Sequence, residues 1–522
     1  MMLLRSLLLL TFSSIVSTSF AQREASNWSF GYQVGLKFID GNPEPTESAI
    51  RTLNGSAVIS DKVTGNLLFY TDGRNFWNRS HEVMQNAHTL PYNCVSLITQ
   101  PAIIIPSVHN DSLFHVFCIR AQFELPPFSN PDNCLFAVDK SKIPENESGL
   151  GLYYYLVDMR LNNGMGNVVE SKSNILLHTN ITQKLTAVPH SNGMDYWIIV
   201  HGWGDNSFYA YHFAEGQVIT VVRTDIGSVH GNYGGIYFED ELQGELKASP
   251  DGAKIASAVF SDYRPFDLFD FNTSTGILSN YINLGNVKGQ YGVSFSPDNS
   301  KLYVSSDGRY GDSDSTSIIL QFDLHAGDAS AIAASGKSII IDNPKTNIPN
   351  NGIFEGWDTP EKGMSLAPDG RLYVSGNTFN DGDPDNILVV IENPNELGFD
   401  CNVNYKTFRF NNGQKTGIGL PNFMQSYFNG LESIRECKEE SKILVHPNPT
   451  NDILRIETDP ACLTSYSLAV YNTLAQIIFV EPTIPDQYEL DLGDMADGIY
   501  ILRFISRGNE IIKRVVKISG SY

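Results

Sequence analysis

Apolar positions in this chain recur at every second residue over short runs, and turn residues join the runs in pairs, which predicts antiparallel hairpins throughout. Three near-copies carry the pattern: Ala248-Ser249-Pro250-Asp251-Gly252, Phe295-Ser296-Pro297-Asp298-Asn299 and Leu366-Ala367-Pro368-Asp369-Gly370, each followed by a second extended run. Proline sets φ for the first corner of the turn, aspartate caps it through the backbone, and glycine or asparagine takes the left-handed corner. In the entering strands Leu246 and Ala248, Val293 and Phe295, and Met364 and Leu366 fall on one face, with Lys247, Ser294 and Ser365 on the other. Residues 55–71, 100–117 and 185–200 repeat the order of strand, turn and strand, turning at 61–65, 109–111 and 190–193. Further strands follow at 208–213, 318–322 and 387–391, so the unit is a meander of three or four strands.

Pro250, Pro297 and Pro368 are 47 and 71 residues apart. That spacing matches the roughly 40–50-residue period of a propeller blade with insertions in its loops. Residues 420–428 read as a seventh entering strand with nothing behind it, while the strands at 27–38 lack an entering strand of their own. Joining the two completes a seventh blade and removes the open edges of the array. The expected fold is all-β: a seven-bladed β-propeller over residues 22–429, a polar linker at 430–442, and a small Ig-like β-sandwich of six or seven strands over 443–522.

Aromatic residues make up 11% of the chain and there are 43 glycines, a balance that favours sheets over helices. The net charge of −22, with no cluster of Lys or Arg, argues against nucleic acid as a partner. Residues 1–21 combine Arg5, a short apolar run and the small-x-small end Ser19-Phe20-Ala21, the pattern of a signal peptide cleaved after Ala21. No later segment is long and apolar enough to form a transmembrane helix. Export permits oxidation of the six cysteines; Cys118 and Cys134, flanking one long loop, are the candidate pair, against a reading in which several stay buried thiols.

The Ser-Pro-Asp-Gly-type turns, the Asn27-Trp28-Ser29-Phe30-Gly31 opening, the 60–73 segment and the 419–428 closure together resemble secreted propellers of the WD-repeat or TolB type. That resemblance implies a fold and no ligand. The last 80 residues or so resemble the type A C-terminal sorting domain of the type IX secretion system of Gram-negative bacteria. The residues that carry it are Pro447, Asn448 and Pro449 at the entry, Val470-Tyr471-Asn472 in the middle, Gly498 and Tyr500 near the end, and the basic terminal run that starts at Lys513. Ala475 stands where the family usually has glycine. The resemblance implies passage through the type IX machinery, removal of the domain near the linker, and release or attachment to surface lipopolysaccharide.

No G-x-S-x-G elbow, P-loop or H-E-x-x-H occurs, and His81, Glu82 and His88 lack the one-turn pairing a zinc protease needs. Loops that share one face of such a propeller contain Arg74, Trp203, Asp205, Tyr233, Arg264, Arg309, Trp357 and Asp358. Flat rings beside carboxylates and Arg suit a glycan or polypeptide ligand; turn chemistry and core anchoring are the competing explanation. Asp381, Asp383 and Asp385, with Glu392 at the twelfth position, imitate a calcium loop. Asn386 replaces its glycine and a strand follows instead of a helix, so a solvated hairpin competes with calcium as the reading. The functional expectation is an exported binding protein. The alternatives are a carbohydrate-active lyase or hydrolase that uses paired carboxylates, or a self-associating surface protein.

Overall fold

A computed structural model describes residues 23–39, 42–87, 96–122, 142–231, 240–306, 318–339, 363–375, 385–410, 414–431, 443–458, 466–474, 476–485, 487–506 and 509–519. Two compact units divide the chain, Met1–Glu432 and Ser433–Tyr522.

In the first unit the described strands form seven small antiparallel sheets, each built from strands consecutive in sequence. The first holds Asn27–Phe30, Tyr32–Ile39 and Asn42–Arg51, and the second Ala57–Ser60, Leu67–Thr71 and Phe76–Asn78. The third centres on Ala102–Pro106, Leu113–Ala121 and Leu150–Asp158. The fourth is Ile181–Pro189, Tyr196–Gly202, Ser207–Ala214 and Gln217–Asp225; the fifth is Leu246–Ala248, Lys254–Ser257, Asp267–Phe271 and Leu278–Asn283. The sixth runs from Gln290–Phe295 to Lys337–Ser338 and the seventh from Met364–Leu366 to Val403–Arg409. The first strand of each sheet contacts the first strand of the next, from the first sheet through to the seventh, which makes the unit β-propeller-like.

Sheets stacked this way are buried on both faces, and one strand shows the result. Ile198 and Val200 join the core shared with the third sheet, while Trp197 and Ile199 join the core shared with the fifth. The strand therefore reads as an unbroken apolar run in the sequence. The Pro-Asp turns behave as their residues dictate. Gly252, Asn299 and Gly370 have φ of 75°, 64° and 73°. Their amides donate to the carbonyls of Ser249, Ser296 and Ala367, and Asp251, Asp298 and Asp369 each accept an amide two residues on. The polar positions of the entering strands are buried too. Lys247 Nζ lies 3.4 Å from Asn422 Oδ1, and Ser365 Oγ donates to the carbonyl of Pro421.

The expected entering strand at 420–428 is not a strand. Residues 414–428 run as an irregular strap whose last turn, Gln425–Phe428, is a 3₁₀ helix. The first sheet has its own first strand, Asn27–Phe30, so it needs none from the C-terminal side. The strap instead bonds several sheets at single points: Tyr32 N to Lys415 O, Ile418 N to Leu53 O, Gly363 N to Ile418 O and Asn422 N to Ser56 O. Its tip is one buried amide. Asn422 Nδ2 donates to the carbonyls of Ala102 and Leu185, and Gln100 Nε2 donates to Asn422 Oδ1. Gly419 makes the approach feasible, because a Cβ there would stand 2.3 Å from the carbonyl carbon of Asn54.

Cys118 does not bear out the expected pairing. It is a free thiol buried at the middle of Leu113–Ala121, within the apolar core, and burial pushes it up from its ordinary range. Cys134 lies outside the described residues.

The second unit is a two-sheet sandwich. Ile443–His446, Ile453–Thr458 and Gln487–Asp491 form one sheet; Ile477–Ile484, Tyr466–Tyr471, Gly498–Ser506 and Asn509–Lys517 form the other. Leu454, Ile456 and Leu490 meet Leu468, Val470, Leu502, Phe504 and Val515 between them, the inward set of each alternation.

Candidate functional site

The strand Tyr196–Gly202 of the fourth sheet ends at His201 and Gly202, and the loop that follows is tied to the segment that leads into the fifth sheet. Gly204 N donates to His230 O at 2.7 Å, and His230 N donates to Asp205 O at 3.0 Å. Gly231 N donates to Glu241 Oε2 at 2.9 Å. Glu241 is held in turn by Arg264, Nε to Oε1 at 2.9 Å and Nη2 to Oε2 at 3.1 Å, a fork that fits both carboxylate oxygens. Asp205 Oδ1 accepts from Ser207 N at 3.0 Å, and its other oxygen stands 3.2 Å from Arg223 Nη2. Of the expected site residues, Asp205 and Arg264 are thus joined through one short chain of bonds.

Behind this chain lies a fully buried polar cluster. The rings of His201 and His230 stack at 3.7 Å between centroids, 17° from parallel. His201 Nδ1 lies 2.6 Å from the carbonyl of Gly202, which fixes the proton on Nδ1 and leaves Nε2 an acceptor. Burial pulls the His201 imidazole down to about 3 and holds His230 well below its ordinary value, so both rings are neutral at physiological pH. Lys184 Nζ donates to the carbonyls of Gln243, Gly244 and Ala258 at 2.8, 2.9 and 2.6 Å. Burial pulls its pKa down to about 7, and three acceptors for three N–H bonds hold it as the ammonium. Burial raises Asp267 to about 6, against bonds from Ser228 and Tyr281. Shifted titratable groups concentrated in one place are a mark of functional sites.

Four groups here carry buried atoms with no partner among the described residues: His201 Nε2, both ring nitrogens of His230, Asp262 Oδ1 and Gln290 Oε1. Each such atom costs on the order of 1–3 kcal/mol when unbonded. Together they are unspent hydrogen-bonding capacity, both donors and acceptors.

The remaining expected residues are placed as follows. Trp203 is a core anchor, 4% exposed, in the cluster shared by the third and fourth sheets, and its ring offers no platform to solvent. Arg74 follows the buried Asp72 turn on the second sheet and is half-buried. Tyr233, Arg309, Trp357, Asp358, Asp381 and Asp383 lie outside the described residues. Asp385 begins the strand Asp385–Ile391. Glu392, the last position of the calcium-like spacing, stands 2.8 Å from Arg371 Nε in a buried ion pair that lacks hydrogen-bond alignment, and it accepts from Asn404. Sequence reasoning missed His201, His230, Glu241 and Lys184 as a group.

In the second unit the sorting-motif residues act on the last strand. Asn448 Nδ2 donates to Arg514 O and Oδ1 accepts from Val516 N, so one side-chain amide pairs with the strand as a backbone would. Pro447 and Pro449 flank it through cis peptide bonds. Gly498 opens a strand opposite Lys517, and Tyr500 Oη donates to Ala496 O. Lys513 is half-buried opposite Leu502, whereas Lys517, not singled out from sequence, is buried and donates to the carbonyls of Leu492, Gly493 and Met495. Ala475 lies outside the described residues.

Residues 444–518 match the family of secretion system C-terminal sorting domains. The sorting domain marks the chain as type IX cargo that engages that machinery, and it implies secretion or an outer-membrane surface location in Bacteroidetes-type Gram-negative bacteria. No helix among the described residues is long and apolar enough to cross a membrane. No curated protein matches the chain. Among solved structures it is similar to a protein from Lactobacillus plantarum, at 11% identity over 83% of this chain and 98% of that one, TM-score 0.35. It is similar to a 6-phosphogluconolactonase-like protein from Bacteroides uniformis, at 12% identity over 86% and 98%, TM-score 0.36. It is also similar to PorZ, a surface component of the type IX secretion system of Porphyromonas gingivalis, at 9% identity over 93% and 68%, TM-score 0.28. Likeness at this level carries no argument about ligand or activity.

Proposed function

We propose that this cargo is a surface or secreted binding protein whose first unit closes as a seven-bladed propeller of the WD-repeat or TolB type. It takes a glycan or polypeptide over the loops of the fourth and fifth sheets. The carrying observation is the coincidence of orphaned buried atoms at His201, His230, Asp262 and Gln290 with the Asp205 to Arg264 chain of bonds. The strap supports the ring, since residues 415–422 bond segments of the first, second, third, fourth and seventh sheets. The proposed boundaries are a signal peptide at 1–21, the propeller at 22–429, a linker at 430–442 where the sorting domain is removed, and that domain at 443–522. Released and lipopolysaccharide-attached forms both fit this route.

Binding is favoured over hydrolysis because two carboxylates of the buried cluster are already engaged, Glu241 by Arg264 and Asp267 by Ser228 and Tyr281, which leaves no free pair for acid and base among its described residues. The test is thermal unfolding of the full chain with polysaccharides and peptides, with released product read in the same wells. A raised transition without product supports the reading, since stabilisation follows occupancy. Product that vanishes in Glu241→Gln or Asp267→Asn would replace it with an enzyme.

A further inference from the structure

At the other end of the fourth sheet's strands, three side chains converge that the proposed binding site does not use. His190 follows the strand Ile181–Pro189, Asp195 precedes Tyr196–Gly202, and His212 lies near the end of Ser207–Ala214. The turn is closed by His190 N to Asp195 O at 2.8 Å and by Gly193 N to His190 O at 2.9 Å. The rings of His190 and His212 stack at 4.7 Å, and both lie against Trp197, at 5.5 and 5.0 Å. Asp195 Oδ2 is 2.8 Å from His212 Nε2 and accepts from Asn192 Nδ2 at 2.7 Å. One ligand atom from each of the three residues lies within 4.8 Å of the other two.

We propose that His190, Asp195 and His212 form a site for a divalent transition metal of the zinc or copper class. Two imidazoles and one carboxylate are the donor set these borderline ions prefer, and a hard ion such as calcium would want oxygen alone. Bonds of about 2.0–2.2 Å require ligand atoms roughly 3.3 Å apart, so the Asp195 to His212 pair opens slightly from 2.8 Å and His190 moves in toward the ion. His212 and Asp195 retain 19% and 16% of their side-chain exposure, which leaves room for that movement and a path for entry. The metal takes the place of the proton between His212 Nε2 and Asp195 Oδ2, and the neutral imidazole keeps that proton by carrying it on Nδ1 instead. A fourth position stays open to water or to a donor from a partner. A turn locked by an ion pair accounts for the Asp195 to His212 contact, and His190 Nδ1 accepts the Asn192 amide at 3.0 Å, so the ion would take His190 through Nε2.

The test titrates the full chain with Zn²⁺ by calorimetry, in the wild type and in His190→Gln and His212→Gln. The expected result is one saturable site in the wild type, weakened at least tenfold in either variant at unchanged unfolding temperature. Variants that bind Zn²⁺ as tightly as the wild type would overturn the proposal. A second reading needs no variant: one equivalent of Cu²⁺ should quench the emission of Trp197, which lies against both rings. Absence of saturable quenching would overturn the site equally.

Discussion

Two buried lysines, one in each unit, make the same set of bonds in different company. Lys184 Nζ donates to the carbonyls of Gln243, Gly244 and Ala258, and Lys517 Nζ to those of Leu492, Gly493 and Met495. Among the described residues no orphaned buried side-chain atom lies in the second unit, whereas the Lys184 charge acts on His201 and His230, where His201 Nε2 and both nitrogens of His230 lack partners among the described residues. A lysine that saturates three carbonyls is a staple wherever it sits. What separates a structural knot from a candidate binding site is unspent hydrogen-bonding capacity beside it, which among the described residues is found in the first unit.

The strongest way to break the comparison is to remove the staples. Lys517→Met takes the donor from three carbonyls, the bond to Leu492 buried and those to Gly493 and Met495 part-buried, and should cost about 3–5 kcal/mol, enough to unfold so small a sandwich. Immunodetection of the chain on intact cells should then fail, with the protein retained inside. Lys184→Met should cost the first unit a similar amount, read as a lowered unfolding temperature, with export intact wherever the unit still folds. Next comes Asn422→Ala, which deletes the amide shared by three or more segments and should cost about 2–4 kcal/mol by denaturant titration. A loss below about 0.5 kcal/mol would mean that the strap does not tie the sheets together.

The third prediction uses pH. The folded chain keeps His201 neutral down to about 3, whereas an unfolded histidine takes up its proton below about 6.5. Stability contributed by the neutral ring is therefore complete above 6.5 and is lost on acidification, at roughly 1.4 kcal/mol per pH unit. Asp267, raised to about 6, works the other way: its contribution is complete below the unfolded value of 3.8 and is lost as pH rises through 6. Below about 6.5 His230, held well below its ordinary value, drives the same decline, so His201→Gln should make the wild-type loss of stability on acidification shallower without abolishing it. The smallest effect is expected at the half-buried Lys513, where alanine should change stability by no more than about 0.5 kcal/mol.

Local chemistry was readable in the sequence, and long-range pairing was not. The Pro-Asp turns at 250, 297 and 368 announced themselves because proline, aspartate and the left-handed corner sit within four residues of one another. The 419–428 segment stands out in the sequence but reads there as a strand, because nothing local shows that it bonds single points on many sheets and never needs a strand's ladder. Arg264 was picked out without its partner Glu241, and His201 and His230 come from different loops that only the tertiary structure stacks. Trp203 followed the opposite course: an aromatic beside glycines looks exposed in sequence and is a core anchor in space. Lys517 hid in a basic run because charge alone does not show which lysine turns inward.

Hydrogen exchange on the full chain tests the central claim most directly, measured with and without whichever polysaccharide or peptide raises its unfolding temperature. The account predicts new protection at 201–205, 228–231, 240–245 and 261–264, lost in Arg264→Ala. Protection confined to the turns at the other end of the strands, or unchanged in that variant, would contradict it.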